Sequence, residues 1–385
     1  MKVKRLKINS FRGIGDLTLE FHETEPTVLV GINGTGKSSI LDCIALLLSH
    51  FVAELQDPIG TGHFINEQDI TEERKIPRHF FSQEDIANGA HQTKNEITIS
   101  LRERQISWFL SLSNTKGRPR GGNIRELEGI CLRIKNQLQN NLNVNLPVVV
   151  YYPVNRQFCD KVTQETTKYY WSNQLAIYDH ALTGVSINFS SFFEWFKDLE
   201  DLENEWRRDN PEHRDRLLEA IRQAISSLLP GFANLRVRRA PLRMTVTKQG
   251  RELVVNQLSE GERGLLALAA DLAKRLAIAN PGLGNPLEGS GVVLIDEIEL
   301  HLHPKWQHEI VPALTRTFPN CQFIVATHSP QVIANVNPEQ VYLLQAIPDS
   351  DMGDTPMIIA KHPEPSMTQD SNSLIEELME VSVTL

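Results

Sequence analysis

Four short stretches combine residue types and spacings that could handle a phosphate ester. Residues 31–39, GINGTGKSS, fit GxxxxGK[ST] at Gly31, Gly36, Lys37 and Ser38. Glycines let backbone N–H groups turn inward around a β-phosphate, and the helix that starts at such a loop adds the positive end of its dipole. Asn33, Gly34, Thr35 and Gly36 would line the cradle, Lys37 would reach the β- and γ-phosphates, and Ser38, followed by Ser39, would meet Mg2+. A bare glycine turn opening a helix is the plainer alternative. By itself the loop admits ATP or GTP.

The second stretch, VVLIDE at 292–297, is four apolar residues ending in two acids. A buried parallel strand delivers such carboxylates to its C-terminal end, where ligands bind in open α/β sheets. Asp296 is expected to hold Mg2+, through water, and Glu297 to position or deprotonate an attacking water. The third, FIVATHS at 323–329, again ends an apolar strand on a polar tip, and His328 there could hydrogen-bond a γ-phosphate and register its loss. The fourth, LSEGER at 258–263, opens a helix that is apolar at Leu265, Leu266, Leu268, Ala269 and Leu272. Ser259 with Glu262 three residues on reads as a capping box, and the same free N-terminus could bind a γ-phosphate.

The elements around these residues place them in α/β order. Residues 2–9 and 17–21 alternate as a hairpin about a turn at Arg12-Gly13, and 27–30 is a short apolar strand running into the glycine loop. Residues 38–55 have helical periodicity, 96–101 and 106–111 read as paired strands, 123–141 as a helix and 147–152 as an apolar strand. Residues 160–230 turn aromatic and charged, with a periodic helix over 212–229, which suggests a mainly helical insertion. Residues 237–255 alternate, and from Gly291 strand, helix (305–318) and strand follow in turn. The expected division is an N-terminal ATPase lobe at 1–158, a helical insertion at 159–235, a C-terminal lobe at 236–345 and a strand and helix segment at 346–385, the helix over 370–380. The chain stops at the apolar VSVTL, which leaves room for a continuation past Leu385.

Composition narrows the function classes. The 385 residues can bury a full core, and 41% hydrophobic with 23% charged residues is a globular balance. A net charge of -9 confines any nucleic-acid contact to a local patch. Cys43, Cys131, Cys159 and Cys321 lack C-x-x-C spacing, so neither a zinc site nor a disulfide framework is expected, and a cytoplasmic setting fits. No signal peptide is evident, and residues 40–55, interrupted by Asp42, His50 and Glu54, read as too short to span a bilayer.

LSEGE resembles the signature motif of ABC-type ATPases, and its order with GINGTGKSS, VVLIDE and ATHS is similar to that superfamily. The resemblance implies an α/β P-loop fold, an ABC-ATPase head with a mainly helical inserted lobe, and ATP as the nucleotide. It also implies that Ser259, Gly261 and Glu262 contact the nucleotide held by an opposite copy, so that two ATP molecules are sandwiched in a head-to-tail homodimer or a higher oligomer. The opening INSFRGIGDLTLEF looks like the SMC/RecF/RecN/OLD branch, in which the arginine of the first turn, here Arg12, approaches the phosphates. Lys37 and Ser259 are 222 positions apart (259 minus 37), more than in transporter subunits. No zinc hook, long coiled coil or acidic nuclease cluster is visible. The stretches PVVVYYPVNRQ, FFEWFKDLEDLENEW, LAIANPGLGNPLEGSGVVLIDEIELHLHPKWQ and DSNSLIEELM look like the PtuA ATPase subunits of Septu anti-phage systems, including those attached to retrons. That likeness implies an HNH nuclease partner of PtuB type and, in the retron form, a reverse transcriptase with its RNA–DNA product.

Rival readings are a RecF-like repair ATPase acting directly on DNA, and an ATP-binding scaffold with negligible hydrolysis. Glu299, His301 and His303 have spacing a metal could use, but contact across a dimer is the preferred expectation. A glutamine loop is placed either at 83–85 or at 155–157. Basic residues cluster at Lys116, Arg118, Arg120 and Arg125 and at Arg236, Arg238, Arg239 and Arg243, read first as solvated faces and second as contacts for DNA or an acidic partner. Trp195 and Trp206 are expected in the core.

Overall fold

The computed structural model describes residues 1–57, 81–114, 120–140, 143–154, 174–184, 189–347 and 357–363. The chain opens with β1 (Lys2–Phe11), β2 (Ile14–Glu20) and β3 (Thr27–Val30), then α1 (Lys37–Gln56). β4 (Gln92–Leu101), β5 (Arg104–Ser113) and β6 (Arg120–Gly122) lead to α2 (Ile124–Asn140) and β7 (Val148–Tyr152). Two helices, α3 (Phe189–Asp209) and α4 (Arg216–Leu228), precede β8 (Phe232–Arg239), β9 (Leu242–Lys248) and β10 (Arg251–Val254). Then follow α5 (Glu260–Ala279), β11 (Gly291–Ile295), α6 (Pro304–Thr317), β12 (Cys321–Thr327), α7 (Pro330–Ile333), β13 (Val341–Ile347) and β14 (Met357–Lys361).

The strands form three sheets. The largest has the order β14-β13-β3-β12-β11-β7, parallel from β13 to β7 with β14 antiparallel at one edge. Every residue of β3, β7, β11 and β12 is buried, because helices and sheet cover both faces; hence these strands read as unbroken apolar runs. The second sheet, β2-β1-β4-β5-β6, is antiparallel, and β5 alternates buried with half-buried residues. The third is the ribbon β10-β9-β8.

α1 sits between the two large sheets, touching β7, β11 and β12 on one side and β4 and α2 on the other. The buried Trp108 of β5 donates its indole N–H to the Leu47 carbonyl of α1 at 3.1 Å. Gln322 of β12 ties the sheets at their other end, donating to the Val3 carbonyl at 2.8 Å and accepting the Val3 N–H at 2.6 Å.

Three expectations need correction. The apolar stretch 40–55, read as too short to span a bilayer, lies in α1, which extends the helix expected over 38–55 to 20 residues and is the single helix among the described residues long and apolar enough to cross a membrane; it is a mostly buried core helix. Helix α4 starts at Arg216 rather than Glu212, because the Asp215 carboxylate caps it by accepting the N–H groups of Leu217 and Leu218. Trp195 is buried, but Trp206 is 62% exposed: Glu203 is the last buried position of α3, and Trp206 lies beyond the surface that covers it, against the ring of His213. The helix expected over 370–380 lies outside the described residues, as does Cys159. Cys43, Cys131 and Cys321 are free, buried thiols.

Candidate active site

The parallel sheet brings three of the four motifs to one edge. Thr327 of β12 pairs with Val30 of β3, and Ile295 of β11 pairs with Val325 of β12 and with Tyr152 of β7. The glycine loop, His328 and Asp296-Glu297 therefore leave neighbouring strands at their C-terminal ends, the ligand-binding edge of an open α/β sheet.

The loop after β3 is shaped for close approach. Gly34 and Gly36 have φ of 88° and 84°, the left-handed region open to glycine. At Gly31 a Cβ would lie 2.5 Å from Thr35 Oγ1 and 2.7 Å from the Leu344 carbonyl oxygen, so no larger residue fits. Thr35 Oγ1 donates to the Ile32 carbonyl at 2.9 Å, and among the described residues no side chain caps the start of α1. Asn33, Gly34 and Ser38 are exposed and Ser39 is half-buried. The result is a cradle with an uncapped helix N-terminus at its floor.

Lys37 is 6% exposed, and its ammonium donates to the carbonyls of Gly31 at 2.6 Å and Ile32 at 2.8 Å. Burial pulls its pKa below the ordinary lysine value, against the attraction of Asp296, Glu299 and Glu297. The ammonium is thus held inside the loop with carboxylates nearby. Ser38 hydrogen-bonds the Asp296 carboxyl, whose pKa burial raises despite that bond, with Glu297 and Asp42 adding to the rise. A serine oxygen beside a carboxylate oxygen is a donor set that suits Mg2+, which takes one or two protein oxygens and fills its shell with phosphate and water.

Asp296 donates its N–H to the Tyr152 carbonyl at 2.9 Å and Ile298 donates to the Ala326 carbonyl at 3.1 Å. Between these two bonds Glu297 turns with a φ of 43°, an uncommon conformation for a residue with a Cβ. His328 is half exposed, and Glu299, 4% exposed, accepts its backbone N–H at 2.8 Å and lies 3.0 Å from its Nδ1.

The signature is built elsewhere. The Ser259 hydroxyl accepts the Glu262 N–H at 3.4 Å and the Glu262 carboxylate accepts the Ser259 N–H at 3.2 Å, the capping box expected from sequence. Burial opposes ionisation of Glu262, but a 2.6 Å bridge to Lys248 and the Ser259 N–H hold its pKa below the usual range. A Cβ at Gly261 would lie 2.3 Å from the His301 carbonyl oxygen, so α5 begins with its backbone against the turn that follows β11. The contacts of Ser259 to Glu262 thus run to Lys248 and His301, whereas Lys37, Ser38, Asp296, Glu297 and His328 gather at the sheet edge.

Arg12, at the tip of the first hairpin with a φ of 52°, pairs with Asp42 of α1 and with Asp85 at 2.9 Å. Burial works against its charge, but these two carboxylates raise its pKa above the ordinary value. Tyr151 of β7 also hydrogen-bonds Asp42, and burial pushes its phenol pKa up. Of the two positions for a glutamine loop, Gln83–Asp85 is a short turn that supplies a partner of Arg12, and 155–157 lies outside the described residues.

Glu299, His301 and His303 do three different things. Glu299 faces inward to His328, His301 Nδ1 lies 3.5 Å from Glu260, and His303 Nδ1 accepts the Lys305 N–H at 3.2 Å as the cap of α6. No group of three or more metal-binding side chains occurs among the described residues. Sequence reading missed the inward role of Glu299; the apolar neighbours Ile298 and Leu300 were the available signal. Of the second arginine cluster, Arg238 pairs with Glu252 and Arg239 with Glu200 and Asp201, so its charge is partly neutralised within the chain. The side chains of Lys116, Arg118 and Arg120 lie outside the described residues.

A family model described as "AAA domain, putative AbiEii toxin, Type IV TA system" matches residues 27–334. The "Retron Ec83 probable ATPase" of Escherichia coli is 32% identical, over 90% of this chain and 72% of that protein. The "Septu protein PtuA" of Bacillus thuringiensis is 22% identical, over 91% of this chain and 77% of that protein. A crystal structure of an SmcHead bound to the C-winged helix domain of ScpA has a TM-score of 0.51 at 16% identity, covering 95% of this chain and all of that one, a likeness of fold. The chain belongs to the P-loop ATPase family that this AAA-domain model describes, together with the retron and Septu ATPases.

Proposed function

We propose that this chain binds and hydrolyses Mg2+·ATP, that ATP closes it head-to-tail on a second copy, and that this cycle regulates a partner HNH nuclease in anti-phage defence. The observation that carries the ATPase reading is the meeting of Lys37, Ser38, Asp296 and Glu297 at one end of the parallel sheet, with the Ser38 hydroxyl on the Asp296 carboxyl. In this reading the loop N–H groups of 33–36 and the start of α1, including Ser39, hold the β-phosphate. Lys37 leaves its two carbonyls for phosphate oxygens, which offer a charge-assisted bond instead of a neutral one. Ser38 and, through water, Asp296 would hold Mg2+, which would shield the phosphate charge. Glu297 orients the attacking water and takes its proton; His328 faces the terminal phosphate; Arg12 comes to the phosphates from its pair of carboxylates.

Ser259, Gly261 and Glu262 complete the site of the second copy, a reading supported by their contacts, which run to Lys248 and His301 and not to this chain's own set. The names of the retron and Septu relatives support a defence setting. The partner then is a PtuB-like nuclease, joined in a retron by a reverse transcriptase and its RNA–DNA product, in a reducing cytoplasm that suits the buried free thiols. Direct action on DNA is the weaker reading because Arg238 and Arg239 are already paired.

Lys37→Ala tests the site directly. Titration with a fluorescent ATP analogue should show at least about a tenfold loss of affinity, the worth of one charge-assisted hydrogen bond, with turnover abolished. Unchanged affinity would remove the loop from the mechanism. Turnover by wild type no faster than by Glu297→Gln would favour the scaffold reading.

A further inference from the structure

Glu299 is built into the fold more expensively than a backbone cap requires. It is 4% exposed, its Oε1 accepts the His328 N–H at 2.8 Å and faces His328 Nδ1 at 3.0 Å, and its Oε2 is buried without a hydrogen-bond partner among the described residues. A serine or asparagine could accept one backbone N–H with far less desolvation. What the carboxylate adds is a second oxygen and an acidic group 3.0 Å from the ring nitrogen Nδ1, an arrangement that favours a proton on Nδ1 and leaves Nε2 for the sheet edge.

The same glutamate sits in a short rigid turn. Leu300 donates to the Glu297 carbonyl at 3.0 Å and Leu302 to the Glu299 carbonyl at 2.9 Å. Glu297 and His301 both take left-handed φ values, 43° and 60°, which persist only when surrounding contacts enforce them. The far end of this turn is the His301 carbonyl, packed on the Gly261 backbone so closely that a Cβ there would be 2.3 Å away. His301 Nδ1 also lies 3.5 Å from Glu260. A continuous strut therefore joins the tip of β12 to the first turn of α5.

We propose that Glu299 is a positioning residue that fixes the ring of His328 and, through the 299–301 turn, ties its position to Gly261. A change at His328 on loss of the terminal phosphate then shifts the start of α5. The inference rests on the proposed function, in which His328 faces the chain's own nucleotide and α5 serves that of a second copy. Glu299 touches neither nucleotide; it acts through His328.

The test compares wild type, Glu299→Gln, His328→Ala and the double variant as full chains. Calorimetry gives the ratio of affinities for ATPγS and ADP, and hydrogen exchange at residues 260–263 is read at concentrations where light scattering shows separate heads. Wild type should prefer ATPγS by roughly 5- to 150-fold, the usual span of coupling between sites. Its exchange at 260–263 should also differ between the two nucleotides. Glu299→Gln keeps an acceptor for the His328 N–H and hence the fold, checked by its melting temperature, and removes only the acidic group beside Nδ1. It should bind ADP within about twofold of wild type, lose most of the preference, and show the same exchange with either nucleotide. The double variant should be no worse than His328→Ala, because residues acting as a unit are not additive. A wild-type preference in Glu299→Gln, multiplying losses in the double variant, or a wild type that does not distinguish the nucleotides overturns the inference. Failure of the underlying reading is separate: there, Lys37→Ala binds both nucleotides as wild type does.

Discussion

Several charges in this chain are held where water cannot fully solvate them, and their pKa directions show what holds them. Lys37 loses by burial and regains part of it from the field of Asp296, Glu299 and Glu297, while Asp296 loses by burial and regains part of it from the Ser38 hydroxyl, an arrangement that a cation and a phosphate would complete. Lys274 of α5 lacks such a role. It lies over the Trp195 ring at 4.6 Å, and burial pulls its pKa to about 8, against the attraction of Asp271. Between that value and the ordinary lysine value near ~10.4 the unfolded chain holds a proton the folded chain has released, so this group makes unfolding harder as pH rises through that window. The buried Cys321, raised to about 12, pulls the opposite way once unfolded thiols ionise. The readout is therefore a difference. Urea midpoints of Lys274→Met should exceed those of wild type at pH 7 and converge with them by about pH 10, and parallel curves would contradict the burial of this ammonium.

At the scale of elements, α5 supplies a contrast within one helix. At Gly261 a Cβ would lie 2.3 Å from the His301 carbonyl oxygen, whereas at Gly264, one turn on, nothing lies within 4 Å. Gly264→Ala should raise stability by about 0.5–1 kcal/mol, through the lower entropy of the unfolded chain. Gly261→Ala should lower it by about 1–3 kcal/mol, since backbone must move to admit the methyl. Chemical denaturation of both variants checks this, and equal effects would mean the start of α5 is free of the turn. Elements with a local pattern were legible in the sequence: β3, β11 and β12 are buried on both faces, so each reads as an apolar run with its polar tip attached. Contacts made across the fold were not. Arg12 meets Asp42 and Asp85 from distant positions, Glu299 is buried only because β12 ends beside it, and the periodicity of α3 continues through Trp206 after its covering surface has stopped.

At the scale of the whole molecule the site is divided. Lys37, Ser38, Asp296, Glu297 and His328 sit at one sheet edge, while Ser259 to Glu262 face Lys248 and the turn after β11. A second copy supplies the missing half if the proposed function holds. Glu297→Gln keeps the shape of the site and removes its base, so bound ATP should persist. The most direct measurement is the mass of Glu297→Gln in solution by light scattering, with Mg2+·ATP, with Mg2+·ADP and without nucleotide. The account predicts a rise in mass that requires ATP and disappears in the additional variant Ser259→Arg. ATP bound to Glu297→Gln with no change in mass would contradict it.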